Sequence, residues 1–134
     1  MSDWIDIRDE AAFARLVMDS RAPMVVAFEN EACTGCHEHR ARLSAAWRLL
    51  GRPGRSVRVD ADRLPDLASR FRIVGFPTVA LFSGGQPVER FLGWRNQASL
   101  TRRIAGLLDG VPDRRRRSGV SSSRQGARRS RGAA

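Results

Sequence analysis

Lysine and tyrosine are absent from this 134-residue chain, and cysteine occurs only twice. No apolar run approaches the roughly 20 residues that a membrane-crossing helix requires. The last absence excludes an integral membrane helix. Two cysteines are too few for a disulfide framework, and their spacing, three apart as Cys33 and Cys36, argues instead for a working redox or metal pair. With every basic residue an arginine and alanine and glycine abundant, the missing lysine and tyrosine read as compositional bias. An individual arginine is therefore weak evidence for a ligand. The stretch from Ser2 to Glu10 interleaves apolar residues with acids and does not read as a leader segment, so a cytosolic, cytoplasmic protein is expected.

The net charge of +10 is unevenly spread. Residues 112–134 hold eight Arg against one Asp, or +7, and residues 1–111 hold sixteen Arg against thirteen acids, or +3. The division predicts a folded domain over 1–111 and an Arg-rich, disordered tail over 112–134, where apolar residues are too scarce to offset the entropy of ordering. Such a tail can hold an anionic surface or nucleic acid non-specifically through counterion release. No aromatic residue interleaves with its arginines, so base stacking is excluded.

Apolar periodicity predicts the elements in order. Trp4-Ile5-Asp6-Ile7 alternates like a half-buried strand, and Asp9 can cap a helix whose apolar face is Phe13, Leu16 and Val17. Ala22-Pro23 ends that helix before Met24–Phe28, an unbroken apolar run that suits a central strand covered on both faces. Ala32-Cys33-Thr34-Gly35-Cys36-His37 follows and opens a helix through Leu43, Ala46, Trp47 and Leu50. A strand that turns into Cys-x-x-Cys at a helix start favours a thiolate at Cys33, with Cys36 one turn on and in reach to close a disulfide. Val57–Asp60 is the next strand, Asp62 can cap a short helix with Leu64, Leu67, Ala68 and Phe71 inward, and Val79–Phe82 is a further strand. Gly84-Gly85 turns a hairpin into Val88–Leu92, and Asn96 can cap a last helix with Leu100, Ile104, Leu107 and Leu108 on one face, ended by Gly110 and Pro112.

The order β-α-β-α-β-α-β-β-α, with Cys-x-x-Cys at the second helix and Gly75-Phe76-Pro77-Thr78 before the fourth strand, resembles the thioredoxin family. The resemblance covers roughly residues 3 to 110, with further matches at Val59-Asp60-Ala61-Asp62, Gly85 and Gly93. It implies an α/β thioredoxin fold, a central mixed sheet flanked by helices, and thiol–disulfide exchange on protein disulfide substrates. By that resemblance Cys33 is the nucleophile and Cys36 the resolving thiol. Pro77 is cis and, with the backbone of Phe76, shapes the substrate groove. No dissociable cofactor is implied, and re-reduction falls to a reductase or a small-thiol system.

Departures from the family pattern mark where proton handling differs. Ala32 and Gly35 stand where the usual Trp-Cys-Gly-Pro-Cys has Trp and Pro, Ala27 stands at the position of a buried Asp, and Ala41 replaces a helix proline. Glu29, two residues beyond Ala27, is a candidate substitute if the strand persists; otherwise it is an acid in solvent. Thr34, His37 and Arg40 are candidate modulators of the Cys33 thiolate, with Arg40 read chiefly as solvated surface. The same residues allow other readings. Cys33-Thr34-Gly35-Cys36-His37 spells the c-type haem attachment pattern, and Cys33, Cys36, His37 and His39 are zinc-ligand types whose two histidines point to different sides of one helix. A thioredoxin-fold binding or redox-sensing module with weak exchange activity is the third.

Overall fold

The computed structural model describes residues 4–51, 53–92 and 96–109. Its centre is strand β2, Met24–Glu29, all six residues of which are buried. Around it lie β1 (Trp4–Asp6), β3 (Ser56–Asp60), β4 (Thr78–Ser83) and β5 (Gln86–Leu92), in the order β1-β3-β2-β4-β5. β1 and β2 run parallel to β3, while β4 is antiparallel to both β2 and β5. The helices are α1 (Glu10–Phe13, continuing as a π-helical turn Ala14–Met18), α2 (Cys36–Leu49), α3 (Pro65–Arg70) and α4 (Gln97–Asp109). This is the mixed sheet and element order of the resemblance.

Strand alternation sorts the core into two layers. Met24, Val26 and Phe28 pack with Phe13, Val17, Leu67, Ala80 and Phe82 on the α1 and α3 side. Phe71 and Phe82 there meet edge to face at 5.3 Å between ring centroids, the geometry that the ring quadrupoles favour. Val25 faces the other way, into Leu43, Trp47, Val79, Leu81, Leu100 and Ile104 under α2 and α4. The unbroken apolar run of β2 is thus explained by burial on both faces.

Local signals set most boundaries. The Asp9 carboxylate accepts from the Ala12 N–H at 2.7 Å, and the Asn96 side chain accepts from the Ser99 N–H at 2.8 Å, so both predicted caps form. Asp62 does not cap α3. Leu64 occupies that position with Pro65 first in the helix, and the Asp62 carboxylate instead accepts from the Glu31 N–H at 2.8 Å. The first helix ends at Met18, ahead of Ala22-Pro23, because the π turn brings the Asp19 N–H back onto the Ala14 carbonyl. At the β4–β5 hairpin, Gly84 and Gly85 both take positive φ, +62° and +80°, and a Cβ on Gly85 would lie 2.5 Å from the Met18 carbonyl oxygen. In β5 Phe91 is the one buried residue. Gly93, Gly110, Pro112 and the 112–134 tail, with the boundary expected at 111, lie outside the described residues.

Candidate functional site

The C-terminal end of β2 feeds a turn that holds both sulfurs. The Cys33 N–H donates to the Asn30 carbonyl at 3.2 Å, the Cys36 N–H to the Cys33 carbonyl at 3.3 Å, and the His39 N–H to the Gly35 carbonyl at 3.0 Å. From its other side the loop is pinned by the Glu31–Asp62 bond at 2.8 Å and by the Ala61 N–H donating to the Glu29 carbonyl at 2.8 Å. Cys33 and Cys36 are joined as a disulfide with Cα atoms 5.5 Å apart. Helix α2 begins at Cys36 itself, behind Gly35, which supplies no capping side chain. Cys33 therefore stands just ahead of the helix start, facing its uncapped positive end.

The two sulfurs differ in access. Cys33 is half-buried and Cys36 is 3% exposed. Cys33 is thus the more accessible of the pair. The 75–78 turn lies at the same end of the sheet, because antiparallel pairing sets Phe28 beside Thr78. There the Phe76–Pro77 peptide bond is cis, Pro77 is buried, Phe76 is half-buried, and the Thr78 hydroxyl donates to the Gly75 carbonyl at 2.6 Å. Val74, 91% exposed, and Leu92, 57% exposed and packed on Gly75, add an apolar rim that sequence reading passed over.

Glu29 is where the structure adds most. β2 persists to it, and it is 1% exposed, so the alternative of an acid in solvent is overturned. Its Oε2 accepts from Arg40 Nε at 2.6 Å and its Oε1 from Arg58 Nε at 2.7 Å, with Asp6 a further 3.4 Å from Arg58 Nη1. Arg40 is accordingly not solvated surface but the α2 partner of a buried acid. Arg58 pairs in register with Ala27, which brings its guanidinium to the α2 side of the sheet. Burial pulls Arg58 down, and the hydrogen bond and charge of Glu29, reinforced by Asp6, more than offset this and hold it above its ordinary value. Among the sequence candidates, Thr34 and His37 are exposed.

His39, by contrast, is fully buried on the inward stripe Cys36, His39, Leu43, Ala46 and Trp47. Burial, with the nearby Arg42 charge, holds its imidazole below the usual histidine value. His37 and His39 do lie on opposite sides of α2. Among the described residues no three His, Cys, Asp or Glu side chains come together as a metal site, so the zinc-type residues do not converge.

A redox-active cysteine pair at the end of the central strand of this mixed sheet, with one cysteine half-buried and the other buried, defines a thiol–disulfide oxidoreductase. The family model described as Thioredoxin matches residues 5–106, and the chain belongs to the thioredoxin family. It is 30% identical to the bifunctional thioredoxin reductase/thioredoxin of Mycobacterium leprae (strain TN) over 115 residues, 78% of this chain. It spans only 22% of that protein's length. To the thioredoxin of Mycobacterium tuberculosis (strain ATCC 25618 / H37Rv) it is 30% identical over 99 residues, 74% of this chain and 85% of the other. To a thioredoxin-like protein of Synechocystis sp. (strain ATCC 27184 / PCC 6803 / Kazusa) it is 31% identical over 94 residues, 70% and 90% of the two chains. No helix among the described residues is long and apolar enough to cross a membrane.

Proposed function

We propose that Cys33 is the attacking sulfur and Cys36 the resolving one in disulfide exchange with protein substrates. The observation that carries this is the difference in access, Cys33 half-buried and Cys36 3% exposed. The Cys33 thiolate attacks a substrate disulfide and forms a mixed disulfide. Cys36 then displaces the substrate sulfur and restores the Cys33–Cys36 bond. An extended substrate segment lies along Phe76 and Pro77, with Val74 and Leu92 meeting its apolar side chains. Glu29 modulates the site by anchoring the Arg40 guanidinium near the start of α2, since both of its oxygens already accept from arginines. Thr34 and His37 act on the outer face of the cysteine loop. Re-reduction by a reductase or small-thiol system, residence in the cytoplasm, a share in electron transport and redox homeostasis, and a non-specific anion-binding role for the 112–134 tail complete the reading.

The test is an equilibrium redox titration with thiol trapping and mass measurement. A two-electron transition at roughly −270 mV marks a reductant, and one nearer about −180 mV an isomerase or redox sensor. Cys36→Ser accumulates mixed disulfides and Cys33→Ser does not. Turnover by Cys33→Ser would refute the assignment of the cysteines, and the absence of a disulfide at every poise would leave a binding module.

A further inference from the structure

Resolution of the mixed disulfide requires the Cys36 thiol to lose its proton, and a thiol that is 3% exposed has little water to give it to. The groups on the elements packed against that end of α2 are few. β2 presents Val25, Ala27 and Glu29 to this face. Ala27 has nothing to accept a proton, and Glu29 has both oxygens engaged by Arg40 and Arg58. From β4 and α4 come Val79, Leu81, Leu100 and Ile104, all apolar. The other charges on this face are the cations Arg40, Arg58 and Arg42, which donate and do not accept, together with Asp6, held 3.4 Å from Arg58 Nη1, and Asp60, whose Oδ1 accepts from the Asp62 N–H at 2.9 Å.

His39 remains. It is three residues beyond Cys36 on the same inward stripe, and both are buried. Residues at this spacing have Cβ atoms about 5–6 Å apart on one helix face. Side chains on a helix lean toward its N-terminus, over the residues three and four before. For His39 those are Cys36 and Gly35, and Gly35 has no side chain to fill the space. A neutral imidazole carries one acceptor nitrogen. Burial and the Arg42 charge both favour that neutral form.

Taking Cys36 as the resolving thiol proposed above, we infer that His39 accepts the Cys36 proton as Cys36 attacks the mixed disulfide. The Cys36 S–H bond breaks, its proton passes to the imidazole, and the sulfur's electron pair forms the bond to Cys33 Sγ. The bond between Cys33 and the substrate sulfur breaks, and the substrate leaves as a thiolate. That thiolate takes up a proton as the imidazolium gives one up, so the step ends with a protein disulfide, a substrate thiol and a neutral imidazole.

The test uses the full chain, reduced, with 5,5′-dithiobis(2-nitrobenzoate) as the disulfide in stopped flow. The first thionitrobenzoate released reports attack by Cys33 and the second reports resolution by Cys36. His39→Leu and the polar His39→Gln should each slow the second release by about 100-fold at neutral pH and leave the first within about twofold. The second release should be nearly flat with pH in the wild type. In both variants it should climb about tenfold per pH unit with the thiolate fraction. A second release unchanged in His39→Gln, or both releases slowed alike, would overturn the inference. Cys36→Ser keeps the two questions apart: it should stop at one equivalent, and a second equivalent would instead overturn the roles given to the cysteines.

Discussion

Truncation of Glu29 to alanine should be among the most damaging single changes away from the sulfurs. The carboxylate side chain is 2% exposed, and its arginine partners remain only 19% and 25% exposed. At an effective dielectric constant of ~20, unit charges about 4 Å apart attract by about 4 kcal/mol. Desolvating the carboxylate offsets much of that, so the cluster as a whole contributes little beyond an apolar equivalent. Removing only the acid is different, because two desolvated guanidiniums then face each other. The expected loss is about 3–5 kcal/mol, against a total stability of about 5–15 kcal/mol. In urea, with a slope of about 1–3 kcal/mol/M, the midpoint should move down by roughly 2 M. Added salt should change the difference little, since buried charges are poorly screened. Removing Arg58 as well should recover part of the loss, with a coupling of about 0.5–3 kcal/mol. A loss below about 1 kcal/mol, the range of surface ion pairs, would refute the reasoning.

Two further predictions concern stability. His39 has its folded value held below that of the unfolded chain, so the unfolded state binds the extra proton in acid. Its contribution is therefore complete above about pH 6.5 and is lost as pH falls below that value, and urea titrations of His39→Leu should lack this part of the slope. At the hairpin, Gly84→Asn should be close to neutral in thermal melts, because φ is +62° and nothing lies within 4 Å of the added Cβ. Gly85→Asn meets the Met18 carbonyl at 2.5 Å and should cost about 1–3 kcal/mol.

What could be read from the sequence was whatever is decided locally or by period. Asp9 and Asn96 cap helices through N–H groups three residues away, and Met24–Phe28 shows its burial in composition alone. Asp62 misled because its partner, Glu31, is 31 residues distant and belongs to another loop. Glu29 was placed on the right face by alternation, but its cover comes from Arg40 and Arg58, 11 and 29 residues away, which only the assembled sheet brings together. His39 was legible as a position, since extending the stripe of Leu43, Ala46 and Trp47 back one turn reaches His39 and Cys36. Its polarity suits a metal ligand as well as a core position, and periodicity alone does not separate the two. The π turn at Ala14–Met18 has no sequence mark.

The exposure of β5 carries a consequence for how molecules of this protein avoid one another. As the outermost strand it offers a row of backbone donors and acceptors to any passing chain. Pro87 removes one donor, Glu89 and Arg90 place solvated charges along the strand, and pairing with β4 slips register at Leu81 and Phe82. At the opposite margin β1 offers, among the described residues, three, one of them Asp6. Strand addition and aggregation are thereby resisted at both borders of the sheet. Copies of this molecule can thus meet briefly without annealing to one another.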